Sequence, residues 1–297
     1  MKKNIYANGN YTVVLYEDGT KIRLCKDDIM IPSRPECIDI CISKRCRNGC
    51  SYCYEGCTEY GAEADLQHPV LDTIPPYTEI AVNLNSSIPE GFEQFLKRMK
   101  DRNVIVNATV NGMNLNSFSA QLRTWQGKGL IHGIGVSVNG VKDLNSVMEE
   151  TENLDHLVIH SIAGIIDPDI FKDCLFYNDS VALLILGYKK TGRGEEYLDQ
   201  NKNEITQNIS GLKDELSRLK EHFGTICFDN LALEQLDIPY EGDIRYMGDD
   251  GQFTFAINLV EESFAKNSRS TETYPINDNS ILDMFKAIQV KQEEELA

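Results

Sequence analysis

The chain has 297 residues, and 46 Asp and Glu against 29 Lys and Arg give a formal charge of −17. With 41% hydrophobic, 8% aromatic and 25% charged residues it has the make-up of a globular protein, and no apolar run approaches the ~20 residues that span a bilayer. No stretch carries the basic surface that displaces counterions from nucleic acid, and no apolar stretch follows the basic start Met1-Lys2-Lys3, so a soluble cytoplasmic protein without nucleic-acid or membrane partners is expected.

In chain order, residues 11–25 read as a β-hairpin, Tyr11–Tyr16 and Lys21–Cys25 about an Asp18-Gly19 turn. Six β-rich runs follow, Ile38–Ser43, Glu79–Asn85, Val104–Asn111, Ile134–Asn139, His156–Ser161 and Val181–Lys189. Between them Phe92–Lys100, Ser117–Gln126, Leu144–Asn153 and Pro168–Leu175 have helical length or period. This alternation predicts an α/β fold of βα units on a parallel sheet, and six strands fit a partial (β/α)6 TIM-like barrel. Alternate residues give each strand two faces. One is apolar (Ile38/Ile40/Ile42, Ile80/Val82/Leu84, Ile134/Val136/Val138) and packs under helices. The other carries Asp39/Cys41/Ser43, Ala81/Asn83/Asn85, Asn107/Thr109/Asn111, Gly135/Ser137/Asn139 and His160. Closed eight-stranded barrels fill the middle with branched apolar side chains, so a polar lumen implies a polar ligand, or else an open sheet with one wet face.

Beyond residue 190 the spacing of Ile205, Ile209, Leu212, Leu216, Leu219 and Phe223 predicts a long helix ending at Gly224. A strand at Thr225–Phe228, a hairpin of Ile244–Met247 with Gln252–Ile257, and a helix Ile281–Val290 before the acidic tail Glu293–Glu295 complete an α+β extension. Residues 191–297 carry 22 acidic and 10 basic side chains, a soluble surface. The expected organisation is an N-terminal β-hairpin (1–30), a barrel core (31–190) and a C-terminal extension (191–297).

Nine cysteines in a reducing compartment do not suggest disulfides, and six of them (Cys37, Cys41, Cys46, Cys50, Cys53, Cys57) fall within 21 residues. Cys46-Arg47-Asn48-Gly49-Cys50-Ser51-Tyr52-Cys53 is C-x3-C-x2-C with an aromatic residue before the third cysteine, placed just after the first core strand where barrels carry their chemistry. Three thiolates from one loop hold three irons of a four-iron cluster and leave the fourth open. Gly49 allows a tight path, and Lys44, Arg45 and Arg47 offset negative charge. A four-thiolate zinc site (Cys46, Cys50, Cys53, Cys57) and a four-cysteine cluster in an electron carrier or sensor remain alternatives; neither needs a polar lumen. Cys57 reads as a hydrogen donor near substrate or a structural thiol, and Cys37 and Cys41 as strand residues. Gly187-Tyr188-Lys189-Lys190-Thr191-Gly192-Arg193-Gly194 has the glycines of a phosphate loop without its final Lys-Ser/Thr, and reads as a mobile rim loop with Arg193 reaching an anionic group.

The motif and the βα order of residues 36–190 resemble the radical S-adenosylmethionine (radical SAM) superfamily. The resemblance implies a 4Fe-4S cluster on Cys46, Cys50 and Cys53 with S-adenosylmethionine on the open iron, reductively cleaved to a 5′-deoxyadenosyl radical that abstracts a substrate hydrogen. It implies an external one-electron reductant, flavodoxin- or ferredoxin-like. By position it assigns cofactor contacts to Tyr52, Ser137, Asn139, Gly187 and Tyr188. The family's Gly-Gly-Glu-like run is replaced by Val82-Asn83-Leu84-Asn85-Ser86, where Asn83 or Asn85 would take the methionine amino group. Cys57 and His160 are the catalytic candidates. The end of the chain resembles the extension of peptide-modifying members, although Cys227 alone builds no auxiliary cluster. The substrate is a peptide or a small molecule.

Overall fold

The computed structural model describes residues 3–172, 178–239 and 248–296. It begins with three antiparallel strands, β1 (Lys3–Asn8), β2 (Tyr11–Tyr16) and β3 (Lys21–Cys25), where the sequence reading had two. The missed strand had a signal, Asn8-Gly9, which turns β1 into β2 with Gly9 at φ +60°. A Cβ at Gly9 would lie 1.7 Å from the Ile31 carbonyl oxygen, so only glycine fits.

The main sheet has ten strands in the order β10-β9-β8-β7-β6-β5-β4-β11-β12-β13. Its middle is the expected series: β4 (Cys37–Cys41), β5 (Glu79–Leu84), β6 (Ile105–Asn111), β7 (Ile134–Ser137), β8 (Leu157–Ile162) and β9 (Asn178–Leu186), all parallel. β10 (Phe223–Phe228) adds in parallel beyond β9 and β11 (Thr254–Asn258) in parallel beside β4. Two short antiparallel strands, β12 (Ser263–Ala265) and β13 (Tyr274–Pro275), finish that edge. The C-terminal hairpin is thus β11–β12; its expected partner Ile244–Met247 lies outside the described residues, as does Cys174.

The sheet is strongly curled. Seven strand spacings separate β9 from β12, about 34 Å if flat. Yet Lys189, three residues past β9, donates to the Ser268 hydroxyl, three residues past β12, at 2.7 Å. Among the described residues no strand pair closes the ring. Asp250 bridges the open side, accepting from Asn230 at 2.9 Å, from Asn267 at 2.8 Å and from Arg269 at 2.9 Å.

Helices α1 (Phe92–Asp101), α2 (Leu115–Gly127) and α3 (Leu144–Thr151) follow β5, β6 and β7, and cover the face of Ile38, Ile40, Ile80, Val82, Val136 and Ile159, all buried. Phe92, Phe95, Leu96 and Met99 of α1 recur every three or four residues and are at most 1% exposed, which is why this segment is a helix on this sheet. The expected helix Pro168–Leu175 is a 3-10 turn, Pro168–Phe171, as far as it is described. The long helix α4 (Arg193–His222) starts twelve residues before its apolar stripe and is interrupted at Asn201. A short α5 (Asn230–Gln235) was not expected. The last helix, α6 (Ile281–Leu296), absorbs the acidic tail. No α-helix lies between β4 and β5; there α6 packs, with Phe285 6.0 Å from Phe255 of β11 and the Ile281 amide donating to Thr73 at 2.9 Å.

The N-terminal sheet is bolted to the bottom of the curl. Glu36, 1% exposed, accepts from Tyr11 at 2.6 Å and from Arg23 at 3.0 Å, with Lys21 at 3.4 Å and also 3.1 Å from Glu79. Burial opposes ionisation of Glu36, but these partners outweigh it and hold its carboxyl below the usual range. Arg23 also stacks on the Phe253 ring at 3.9 Å.

Candidate functional site

The cysteine loop leaves the C-terminal end of β4. Its two arms pair with each other: Lys44 donates to Ala62 at 2.9 Å and Cys46 to Thr58 at 2.7 Å. A Cβ at Gly61 would meet the Lys44 carbonyl oxygen at 1.9 Å, which forces glycine there. Three further anchors fix the loop over β5 and β6. Arg47 donates to the Ser86 hydroxyl at 2.8 Å, Asn114 to the Asn48 side chain at 2.9 Å, and the Asn85 amide to the Ser43 carbonyl at 2.8 Å. Asn85 therefore spends its N–H groups on the loop.

Cys46, Cys50 and Cys53 are partly exposed on this loop, and Cys57 behind them is buried. Gly49 supplies the bend, with φ +64° and nothing near its missing Cβ. Cys50 lies within electrostatic reach of Cys46 and Cys53, and burial pushes its thiol up. A hydrogen bond between the Cys53 and Cys57 thiols splits that pair: Cys53 is held well below the ordinary thiol range and Cys57 above it. Among the described residues no three His, Cys, Asp or Glu side chains converge on a single ion. A four-iron cluster takes each thiolate on a different iron, so its cysteines stand farther apart than ligands sharing one ion. Three partly exposed thiols on one anchored loop, whose Tyr52 and Tyr54 line the adjoining cavity, fit such a cluster.

The charges flanking the motif are spent differently from the sequence expectation. Lys44 pairs with Glu261 and lies 3.9 Å from Glu55; Arg45 is 3.6 Å from Glu63 and Arg47 3.5 Å from Glu59. The cation that reaches the loop is Arg193, at the start of α4. Its guanidinium donates to the Cys50 carbonyl at 3.0 and 2.8 Å and to the Cys57 carbonyl at 2.8 Å, while its own amide donates to the Cys53 carbonyl at 3.0 Å. The loop 187–194 is therefore docked on the cysteine loop, and a Cβ at Gly192 would meet the Tyr54 carbonyl oxygen at 2.4 Å. Arg193 is thus a clamp on backbone oxygens rather than a hook for an anion. No sequence signal shows this, because its partners are carbonyls.

Beneath the loop lie two chambers that share Tyr54, Asn83, Thr109, His160, Leu186 and Lys189. The smaller, about 170 Å³, is lined by Tyr52, Asn83, Ser137, Gly187 and Tyr188, five of the residues expected at a cofactor. A sixth, Asn139, ties neighbouring strand ends together: its amide donates to the Ser137 hydroxyl at 2.9 Å and its oxygen accepts from the Ile162 amide at 2.6 Å. The Gly187 amide donates to Asp229 at 2.8 Å and the Tyr188 hydroxyl to the Gly194 carbonyl, which fixes that wall.

The larger chamber, about 350 Å³, lies between the polar face of β4, β5 and β6 and the segment 263–273 after β11. Its floor includes Asp39, Cys41, Asn83, Thr109 and His160; Leu184 and Leu186 of β9 make one wall apolar. Burial pushes the Cys41 thiol up to about 12 and lowers the His160 imidazole to about 4, so His160 is neutral near pH 7. Burial also lowers the Lys189 ammonium, which donates to Ser268 and lies 3.9 Å over the Tyr54 ring. Tyr54, Glu55 and the segment 263–273 are site residues that the sequence did not single out, and Lys189 entered it only as part of the 187–194 loop.

No protein-family model and no curated protein sequence matches the chain. Among solved structures it is similar to Streptococcus suis SuiB, at 8% identity with a TM-score of 0.59 over 95% of this chain and 86% of that one. SuiB bound to S-adenosylmethionine aligns at 9% identity and a TM-score of 0.62, covering 97% and 89%. SuiB bound to the precursor peptide SuiA aligns at 8% identity and 0.59, covering 96% and 88%. At such identities the likeness establishes the shared fold, a mixed α/β architecture with a large parallel sheet. No helix among the described residues is long and apolar enough to cross a membrane.

Proposed function

We propose that this chain is a radical SAM enzyme, built on a partial (β/α)6 barrel with the N-terminal sheet as base and residues 191–297 completing the lumen. The observation that carries the reading is the coincidence of three features: a C-x3-C-x2-C loop at the mouth of a parallel sheet, a polar lumen below it, and a fold shared with a protein solved with S-adenosylmethionine. Cys46, Cys50 and Cys53 are the ligands of a 4Fe-4S cluster. The chemistry that such a cluster supplies with S-adenosylmethionine is reductive cleavage to a 5′-deoxyadenosyl radical, which takes a hydrogen atom from substrate.

The chain's own residues then have defined tasks. Arg193, Asn85 and Ser86 hold the cysteine loop rigid, so that the three thiolates are positioned before the cofactor arrives. Tyr52, Ser137, Gly187 and Tyr188 enclose the nucleoside end in the smaller chamber, with Asn83 below. His160, neutral, exchanges hydrogen bonds without adding charge where the chambers meet. The segment 263–273 excludes water from the larger chamber, where substrate lies. The peptide complex of the structural neighbour favours a peptide as substrate, and the reductant is an external one-electron donor in the cytoplasm.

Anaerobic reconstitution with iron and sulfide, then dithionite and S-adenosylmethionine, tests the reading. It predicts 5′-deoxyadenosine in parent protein and none in Cys50→Ala. A stable cluster that never cleaves S-adenosylmethionine would mark an electron carrier instead, and zinc retained on four cysteines a structural site.

A further inference from the structure

The floor of the larger chamber carries an unpaired carboxylate. Asp39 of β4 makes no hydrogen bond and no ion pair with any described residue, and its side chain stands exposed within the chamber. Asn83 on β5, Thr109 on β6 and His160 on β8 face the same space, and their side chains likewise have no hydrogen-bond partner among the described residues. Four polar groups on one face of one sheet, turned into a single chamber and without a partner among the described residues, form a surface able to receive a polar ligand.

The charges around Asp39 fix the sign of that ligand. Asp229 accepts from the Gly187 and Ala232 amides at 2.8 and 2.7 Å, and Asp250 is paired with Arg269 at 2.9 Å. Glu55 has Lys44 at 3.9 Å and a hydrogen bond from Tyr54. Among the described residues the cation that acts on Asp39 is Lys189, which makes no ion pair with it and is engaged by the Ser268 hydroxyl and the Tyr54 ring. Glu261, also on the chamber wall, is paired with Lys44, so among the described residues Asp39 alone of these acidic groups has no partner.

We propose that the larger chamber binds a substrate through a cationic group, an ammonium or guanidinium seated on Asp39, with Asn83, Thr109 and His160 taking its polar neighbours. The cation belongs either to a basic side chain within a peptide or to a free amine. Its role as substrate rests on the radical SAM reading, but its binding does not. Leu184 and Leu186 line the wall that an alkyl stem would follow from the chamber mouth to Asp39.

Equilibrium dialysis of the full reconstituted chain tests this with four probes: capped lysine (N-acetyl-lysine methylamide), cadaverine, and the capped norleucine and capped glutamate analogues. The proposal expects the cationic probes to be retained and the neutral and acidic ones not. Capped lysine held over cadaverine assigns a peptide side chain; the reverse assigns a free amine. Asp39→Asn should weaken retention at least about tenfold, as expected for a lost charged hydrogen bond. Its melting temperature should be close to the parent's, since Asp39 is exposed in the chamber and makes no hydrogen bond or ion pair with a described residue that the substitution would break. If the variant melts early, lysine against norleucine on the parent chain decides the same question without it. Norleucine held as well as lysine, no probe held, or unchanged retention in a folded Asp39→Asn would overturn the proposal. S-adenosylmethionine retention, measured in parallel, separates the two ideas: if it fails while amine binding depends on Asp39, the radical SAM reading falls and the cation site stands.

Discussion

Replacing Arg193 by alanine removes three guanidinium hydrogen bonds from two carbonyls of the cysteine loop, those of Cys50 and Cys57. A hydrogen bond from a charged donor is worth about 1.5–3 kcal/mol, and two carbonyls losing such partners would cost roughly 3–6 kcal/mol if both stayed dry. Arg193 is only half-buried, so water repairs part of the loss and about 1.5–3 kcal/mol remains, a factor of roughly 10–150. The loss falls on the order of the loop and not on the core, because neither acceptor belongs to the sheet. Anaerobic release of iron to a chelator should therefore quicken by that factor in Arg193→Ala, while the melting temperature of the cluster-free protein changes little. Arg193→Lys, which keeps the charge but lacks the fork that spans both carbonyls, should fall between. Iron release from Arg193→Ala at the parent rate would refute the clamp.

Cys50→Ala should abolish cluster assembly and Cys57→Ala leave four irons per chain, read by iron and sulfide content; equal loss would place Cys57 among the ligands. Glu36→Ala leaves Arg23 and Lys21 buried without their carboxylate and should destabilise by about 3–5 kcal/mol in denaturant melts. Because the folded carboxyl lies below its ordinary value of 4.5, this stabilisation is fully present above that pH and is lost as pH falls through the folded value, so parent and variant curves should converge in acid. Gly187→Ala places a methyl 2.3 Å from Leu231 and should push α5 outward, costing about 1–3 kcal/mol and weakening S-adenosylmethionine binding in dialysis; an unchanged melt would show that α5 yields freely.

The six central strands were readable because each is an apolar run bounded by polar turns, and the period of two also separated Ile38, Ile40 and Val82 from Asp39 and Asn83. What escaped is non-local or short. β11 pairs with β4 across more than 200 residues, and no periodicity encodes a partner that distant. β12 and β13 have three and two residues, too few to show a period. The early turns of α4 lack an apolar stripe, and their start is set by the docking of Arg193 on the loop. The motif cysteines were readable from spacing alone. The engagement of Lys44, Arg45 and Arg47 was not, because Glu261, Glu63 and Glu59 meet them only after folding.

In the enzyme proposed above, S-adenosylmethionine binds the open iron of a cluster held by Cys46, Cys50 and Cys53. Electron paramagnetic resonance of the dithionite-reduced, reconstituted protein, with and without S-adenosylmethionine labelled with nitrogen-15 at its amino group, tests it most directly. The expected result is a cluster signal that shifts on addition and shows hyperfine coupling to the label. A cluster signal left unchanged by saturating S-adenosylmethionine would contradict it.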